Sequence, residues 1–251
     1  MTQKIRNRLA DIFLSAFRDS DKRQAIRVFA AYCELSASRG SASIPVFDLM
    51  AASESPSPET GEEDPALATI DEAGLLRLRF GRDTEGKRAP EVEAYPEARE
   101  AGPVLCERVR RYRDVLEQAA TIGTAGHRDQ VARTLAEAAL CFNAGLFFEA
   151  HEHLEHIWVS LPRGSVRQIL QGIIQVSVGF YHAERGNYVG AVNQLAKGLA
   201  KLDPGPNEVA GLNLAEFVRD VRAAKERILS RGREEVDAVS LSYAPRMRLT
   251  I

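Results

Sequence analysis

One short segment holds most of the side chains that could bind a cation or transfer a proton. From residue 149 to 156 the sequence reads Glu-Ala-His-Glu-His-Leu-Glu-His, which places three of the five histidines and three glutamates close together. Imidazole and carboxylate groups coordinate divalent cations, and both transfer protons in catalysis. The segment is therefore a candidate for cation binding or for acid–base chemistry.

The segment is predicted to be helical from about residue 146 to 160, after a turn at residues 143–145. Side chains four and seven residues apart share a helix face. On this phase His151 and Glu155 lie on an apolar arc, together with Phe147, Phe148, Leu154 and Trp158. The other face, interpreted as solvated, receives Glu149, Glu152, His153 and His156. A carboxylate on an apolar face is costly unless something pairs with it, so the first set is the more informative.

A second polar stripe is expected to face this arc. The predicted helix 165–184 is apolar almost all round, which is typical of the centre of a bundle. It nevertheless carries a narrow row of polar side chains, namely Gln168, Gln171, Gln175 and His182. Gly172 and Gly179 stand beside this row and leave room for a close approach. The two stripes form either a structural hydrogen-bond network or a pocket, and the glycines favour a pocket.

These residues define the candidate site. His151, Gln171, Gln175, His182 and Trp158 are its candidate binding residues, and Glu152 and Glu155 are candidate general bases. A divalent metal held by His151, Glu155 and His182 is the cofactor hypothesis. The match to known metal motifs is partial, because Glu155 stands where the second histidine of His-Glu-x-x-His would be.

The composition excludes several classes of protein. The chain has 251 residues, of which 45% are hydrophobic, an ordinary fraction for one or two globular domains. Its formal net charge of −2 disfavours a strongly basic nucleic-acid surface. No apolar run approaches the roughly 20 residues that cross a membrane, and no signal-type apolar run follows the basic N-terminus. We expect a protein without a membrane segment.

The cysteines predict the compartment. Cys33, Cys106 and Cys141 are scattered along the chain and form no Cys-x-x-Cys pair. This usage is typical of reduced thiols, so a cytoplasmic protein is predicted. The sequence leaves homodimerisation open.

Residues 1–100 predict a small α+β module. Helices are expected over 3–18, 21–39 and 46–52, followed by an acidic Ser/Pro-rich loop at 53–65. A hairpin of 67–70 with 74–80 and a strand at 91–95 would complete a winged-helix-like module. DNA binding through its basic residues is one reading, and a packing or dimerisation domain is the other; nucleic acid is disfavoured by the charge balance. The basic set is Lys4, Arg6, Arg8, Lys22, Arg23 and Arg27.

Residues 101–251 predict a helical bundle, so the fold class is mainly α. Helices are expected near 103–120, 128–142, 146–160, 165–184, 187–202 and 212–230. Two helix pairs share a pattern at a constant offset: Gly145, Phe147, Ala150, Leu154 and Trp158 recur as Gly186, Tyr188, Ala191, Leu195 and Leu199. This order of small and aromatic residues is similar to tetratricopeptide helix hairpins. Two copies predict a bundle of stacked hairpins rather than a solenoid.

The central motif also resembles a known family. Residues 142–158, Phe-Asn-x-Gly-x-Phe-Phe-Glu-Ala-His-Glu-x-Leu-Glu-x-x-Trp, are similar to the signature of the family catalogued as domain of unknown function 309. The resemblance covers about 136–202 and continues through Gln171, Gly172, Gln175, His182, Asn187, Gly190, Ala191 and Leu195. It implies an all-helical bundle and supplies no established activity. The first hundred residues lie outside it.

Two functions of different classes follow. The first is a helical domain that binds a small molecule or a metal, with hydrolysis as its candidate activity. The second is a non-catalytic interaction or regulatory protein in which the polar residues are structural and the N-terminal module selects a protein partner or DNA. No phosphate-binding loop, dinucleotide fingerprint or serine triad competes with these hypotheses.

Overall fold

The computed structural model describes residues 1–54, 64–82, 85–126, 129–236 and 244–250. In this part of the chain, eleven α-helices and two small antiparallel sheets form two compact units, residues 1–117 and 118–251. The predicted mainly-α class with a small α+β module is confirmed. Most of the acidic loop predicted at 53–65 lies outside the described residues. None of the described helices combines the length and the apolar composition that a membrane crossing requires.

The N-terminal unit has the strand order expected of a winged helix. Its helices are α1 (Gln3–Ala16), α2 (Ser20–Arg39), α3 (Val46–Ala52), α4 (Pro65–Glu72), α5 (Pro96–Glu100) and α6 (Gly102–Thr121). Its strands are β1 (Ser43–Pro45), β2 (Leu76–Arg82) and β3 (Arg88–Ala94), which form an antiparallel sheet in the order β1-β3-β2. The first strand therefore pairs with the last, and β2 lies at an edge.

The hairpin differs from the predicted one. Residues 67–70 belong to helix α4 and not to a strand, because the side chain of Asp64 accepts hydrogen bonds from Ala66 N and Leu67 N. Pro65 occupies the first helical turn, where its missing N–H costs nothing. The hairpin is formed instead by β2 and β3, so the predicted strand at 91–95 is the partner of β2.

A disulfide and an aromatic stack hold α6 within the N-terminal unit. Cys33 of α2 and Cys106 of α6 form a disulfide, so the prediction of reduced thiols is wrong for this pair. The rings of Phe13 and Tyr112 stack with their centroids 4.1 Å apart. These contacts explain why the unit extends to residue 117 and does not end near residue 100 as the sequence suggested.

The C-terminal unit contains two consecutive helix hairpins. Its helices are α7 (Gln130–Asn143), α8 (Phe147–Trp158), α9 (Ser165–Glu184), α10 (Tyr188–Leu202) and α11 (Leu214–Arg231). A two-stranded ribbon of β4 (Glu208–Val209) and β5 (Leu212–Asn213) precedes α11. Its core includes the rings of Phe142, Phe147, Phe180 and Phe217.

The tail also contacts this unit. Leu249 forms a β-bridge with Leu212, and the side-chain amide of Asn143 makes two hydrogen bonds to the backbone of Met247. Asn143 thus satisfies both backbone groups of Met247, as a paired strand would do.

The space that the sequence predicted beside the polar stripe is filled. A Cβ on Gly172 would lie 2.6 Å from Leu202, and one on Gly179 would lie 2.8 Å from Leu195. Gly198 of α10 is equally close, since its added Cβ would lie 2.8 Å from the carbonyl oxygen of Gly172. The glycines therefore let α9 and α10 cross closely, and they do not open a pocket.

Candidate functional site

Helix α8 presents the central motif between its two neighbours α7 and α9. Gly145 has φ of 73°, a backbone conformation that favours glycine, and it reverses the chain after α7. The buried side of α8 contains Phe147, Phe148, Glu149, Ala150, Leu154 and Ile157. His151 lies at the margin of this side, with its side chain 12% exposed, and Glu155 is exposed. The predicted burial of Glu155 is therefore wrong.

His151, Glu152 and Glu155 form a compact set of possible ligands. One potential ligand atom from each residue lies within 4.8 Å of the other two. His151 Nε2 is 3.1 Å from Glu152 Oε1. The Nδ1 atom of His151 is buried and has no hydrogen-bond partner within the described structure. A half-buried imidazole with two carboxylates in reach is thus available at the surface of α8.

His182, the predicted third metal ligand, contacts a different helix. Its Nδ1 lies 3.1 Å from Asn187 Nδ2, which assigns Nδ1 as the acceptor. A Cβ on Gly190 would lie 2.8 Å from the His182 ring, so the imidazole packs against the first turn of α10. Among the described residues, the cluster of possible metal ligands contains Glu152 in its place.

The remaining predicted binding residues are not part of the His151 cluster. Gln175 Oε1 accepts a hydrogen bond from Lys201 Nζ at 3.0 Å. Trp158 Nε1 donates to the carbonyl oxygen of Arg167, whose guanidinium lies 4.2 Å from the indole centroid. Gln171 is half-buried on α9. A binding role for these residues stays a prediction.

A buried charged network was missed from the sequence. Glu137 of α7 and Glu149 of α8 are both fully buried, although Glu149 had been assigned to solvent. His153, also assigned to solvent, has a side chain only 12% exposed, and its Nε2 lies 2.8 Å from Glu137 Oε2. Burial raises the pKa of the Cys141 thiol well above its ordinary value, and the charges of Glu149 and then Glu137 raise it further.

The signal for this network was present on α7. Glu137 is the one acidic residue in the otherwise small and apolar run from 134 to 142. Glu137 and Cys141 are four residues apart, as are Glu149 and His153, so each pair shares one helix face. Both faces turn toward the junction of α7 and α8, which a pattern search on α8 alone does not show.

Sequence comparison finds one family model and one similar protein. Residues 135–194 match the model of a family described as Domain of unknown function (DUF309). An uncharacterized protein of Aquifex aeolicus (strain VF5) is 29% identical over 98 residues, which are 39% of this chain and 28% of that protein. The match thus spans less than a third of the relative's length. No solved structure matches the chain.

The matched segment runs from α7 into α10 and includes the His151 cluster, the buried Glu137–His153 network and both hairpin turns. By this match, residues 135–194 are similar to the family described as a domain of unknown function, DUF309.

Proposed function

We propose that the C-terminal unit binds a divalent cation through His151, Glu152 and Glu155. The observation that carries the proposal is that one possible ligand atom from each of the three residues lies within 4.8 Å of the other two. The burial of the His151 side chain supports it, because an imidazole held by packing loses little freedom on coordination. The edge of its ring against Phe148, with centroids 5.0 Å apart, fixes its position.

The donor set suggests which cations fit. One imidazole nitrogen and two carboxylate oxygens suit Mn²⁺, Fe²⁺ and Zn²⁺ better than they suit soft cations, which prefer thiolates. Glu152 has a side chain 45% exposed, so water reaches the position. Three protein ligands leave coordination positions open, as in catalytic rather than structural sites.

Hydrolysis is the activity that this arrangement favours. A bound cation would supply Lewis acidity toward a carbonyl or phosphoryl oxygen. During hydrolysis His151 and Glu155 would hold the cation. Glu152 would be a ligand only in the absence of substrate and would then be the candidate general base, since its carboxylate lies beside the imidazole. The substrate class would be a small ester, amide or phosphate that reaches the exposed side of α8.

The test measures cation binding and metal content together. Calorimetric titration of the full chain with Mn²⁺ and Zn²⁺ should show one site that His151→Ala and Glu155→Gln each weaken at least about tenfold. His156→Ala is the matched control, because His156 is an exposed histidine of the same helix outside the cluster. Equal binding by wild type and His151→Ala would remove the proposal.

The second candidate is an interaction or regulatory protein, favoured by the winged-helix strand order of the N-terminal unit. Three of the six basic residues that the sequence offered to DNA are buried or hydrogen-bonded to the backbone. Arg6 is buried, Arg8 donates to the carbonyl of Ala73, and Arg23 donates to the carbonyl of Ala16. This use leaves fewer cations on α1 and α2 for phosphates and favours a protein partner.

Retention of the full chain on duplex DNA distinguishes the two partners, because phosphate binding falls steeply as salt rises. Binding at low salt that persists in Lys22→Ala and Arg27→Ala would place DNA elsewhere on the chain. Absence of retention at low salt would leave the protein partner. Cytoplasmic location and homodimerisation stay predictions of the sequence.

A further inference from the structure

The hairpin of β2 and β3 holds two large apolar side chains in solvent. Leu78 is 49% exposed and Phe80 is 57% exposed. They share one face of the sheet with Leu76, which is buried. The cross-strand neighbour of Phe80 is Pro90, which is also exposed. Leu76, Leu78 and Phe80 therefore form an apolar strip along β2 that begins in the core and ends in solvent.

The backbone beside this strip lies at a sheet edge. β2 is the last strand in the order β1-β3-β2. Tyr95 N donates to the carbonyl of Leu75, the residue just before the pair Leu76–Ala94. The backbone groups of Leu75, and of every second residue after it, therefore point toward β3. Backbone groups of alternate residues point to the same side of a strand. Those of Leu78 and Phe80 consequently point away from β3, where an added strand would find them.

Two arginines face each other at the outer end of the same strip. Arg82 and Arg88 are direct cross-strand partners. Like charges directly opposite in a ladder are destabilising, and this cost is partly offset because Arg82 Nη1 donates to the carbonyl of Gly86. The Arg88 guanidinium lies 4.3 Å from the centroid of the Phe80 ring, which joins the charge to the apolar strip.

On the opposite face of the hairpin the arginines are paired with carboxylates. Arg77, Arg79 and Arg99 all form ion pairs with the single carboxylate of Glu93. The neighbouring carboxylate, that of Glu91, accepts a hydrogen bond from the hydroxyl of Ser43. From residue 76 to 94 the sequence holds five basic residues against four acidic ones. The positive charge available to an anionic partner therefore lies on the face of the apolar strip, at Arg82 and Arg88.

We propose that β2 is a docking edge for an extended, acidic segment of a partner protein. The segment adds as a fourth strand beside β2, and its main chain pairs with the outward groups of Leu78 and Phe80. Its alternate apolar side chains cover the exposed strip, and its carboxylates lie against Arg82 and Arg88. The surface belongs to the N-terminal unit and is independent of the cation site.

Two other occupants fit less well. A second copy of β2 would bring its own arginines opposite Arg77, Arg79 and Arg82, which is repulsive. Duplex DNA would approach α4, which contacts β2 and carries Asp71 and Glu72 but no lysine or arginine. Those carboxylates repel a phosphate backbone at short range.

Fluorescence anisotropy of a labelled short peptide that alternates Glu and Val tests the proposal with the full chain. A peptide that alternates Lys and Val, and a short DNA duplex, serve as competing probes. Phe80→Glu and Arg88→Glu should each weaken binding of the Glu-Val peptide at least about tenfold. Phe47→Glu is the matched control, because Phe47 is a 73% exposed phenylalanine of α3 in the same unit. It should change the affinity less than about twofold.

The outcomes separate the occupants. Selective binding of the Glu-Val peptide that is lost in both hairpin variants supports the docking edge. Equal binding of the Glu and Lys peptides, or unchanged binding in both variants, overturns it. Duplex binding that depends on Arg88, without peptide binding, would make the hairpin a nucleic-acid surface and also overturns it. Circular dichroism of each variant confirms that the fold is retained.

Discussion

The turn after α7 and the turn after α9 have the same backbone and different side chains. Gly145 and Gly186 both adopt positive φ, at 73° and 68°. Leu146 N donates to the carbonyl of Cys141 at 2.9 Å, and Asn187 N donates to that of His182 at 2.8 Å. The two turns thus correspond residue by residue at one constant offset along the chain.

Side chains at matching positions of the two turns compensate each other in size. Cys141 and Glu149 in the first hairpin correspond to His182 and Gly190 in the second. The small thiol leaves space for a buried glutamate, whereas the larger imidazole requires a glycine, whose added Cβ would lie 2.8 Å from the ring. Glu137, which binds His153, corresponds to Val178. The hairpin therefore forms without buried charge, and the charges of the first copy need another explanation.

Replacement of Glu137 should reveal the largest difference in stability between the buried charges of the first hairpin and the apolar second hairpin. Glu137→Leu gives the first hairpin an apolar residue, as in the second, but removes the buried carboxylate that contacts His153. We expect a loss on the order of 3 kcal/mol in the free energy of unfolding, measured with urea. Glu155→Leu, on the exposed side of α8, should change it by about 0.5 kcal/mol or less. Similar losses at both positions would contradict the division into buried and exposed glutamates.

Filling the space at Gly190 should give the next largest effect. The Cβ of Gly190→Ala would lie within 3 Å of both His182 and Asn187, so we expect a loss of about 1–3 kcal/mol. His182→Cys gives the second hairpin the small residue of the first. The double variant should therefore lose less than the two single variants together. Strict additivity in thermal unfolding would show that His182 and Gly190 are not coupled.

A smaller effect is expected at the helix starts. The side chain of Asn187 accepts a hydrogen bond from Gly190 N and caps α10, whereas Leu146 at the start of α8 makes no such bond. Asn187→Ala should cost about 1 kcal/mol in urea unfolding. Leu146→Asn would show whether a cap helps α8, although Leu146 is fully buried and its loss opposes the gain. An unchanged stability in Asn187→Ala would remove the distinction.

The smallest effect concerns alkaline pH. The pKa of Cys141 is raised in the folded chain by burial and then by the charges of Glu149 and Glu137. The folded state therefore keeps the thiol protonated more strongly than the unfolded state does. Its contribution to stability is complete below the unfolded thiol pKa and is lost as pH rises through the folded pKa. Between neutral and alkaline pH, the free energy of unfolding should decrease more steeply for wild type than for Cys141→Ala. The same pH dependence in both proteins would contradict the assignment.

The order of helices could be predicted because it is encoded locally. The stop at Gly145 and the start near Phe147 follow from one glycine and an apolar repeat. The burial of Glu149 could not be predicted in this way, because it depends on Cys141 of another helix. The Cys33–Cys106 pair, 73 residues apart, likewise carries no local spacing signal. The sequence identifies His151 because it is a possible ligand on a predicted apolar face. It places Glu155 on the buried side, because the helix phase is derived from α8 alone and takes no account of packing against α7.

The close crossing of α9 and α10 has a consequence for the rate of folding. Gly172 and Gly198 bring the two backbones together without side chains that must first find their rotamers. The connection is as short as that between α7 and α8, so loop entropy is similar in the two hairpins and the close backbone contact makes the difference. We expect the α9–α10 hairpin to form before the transition state of folding. The charged network of α7 and α8 is expected to form after it. Gly198→Ala should then slow refolding, whereas Glu137→Leu should mainly accelerate unfolding.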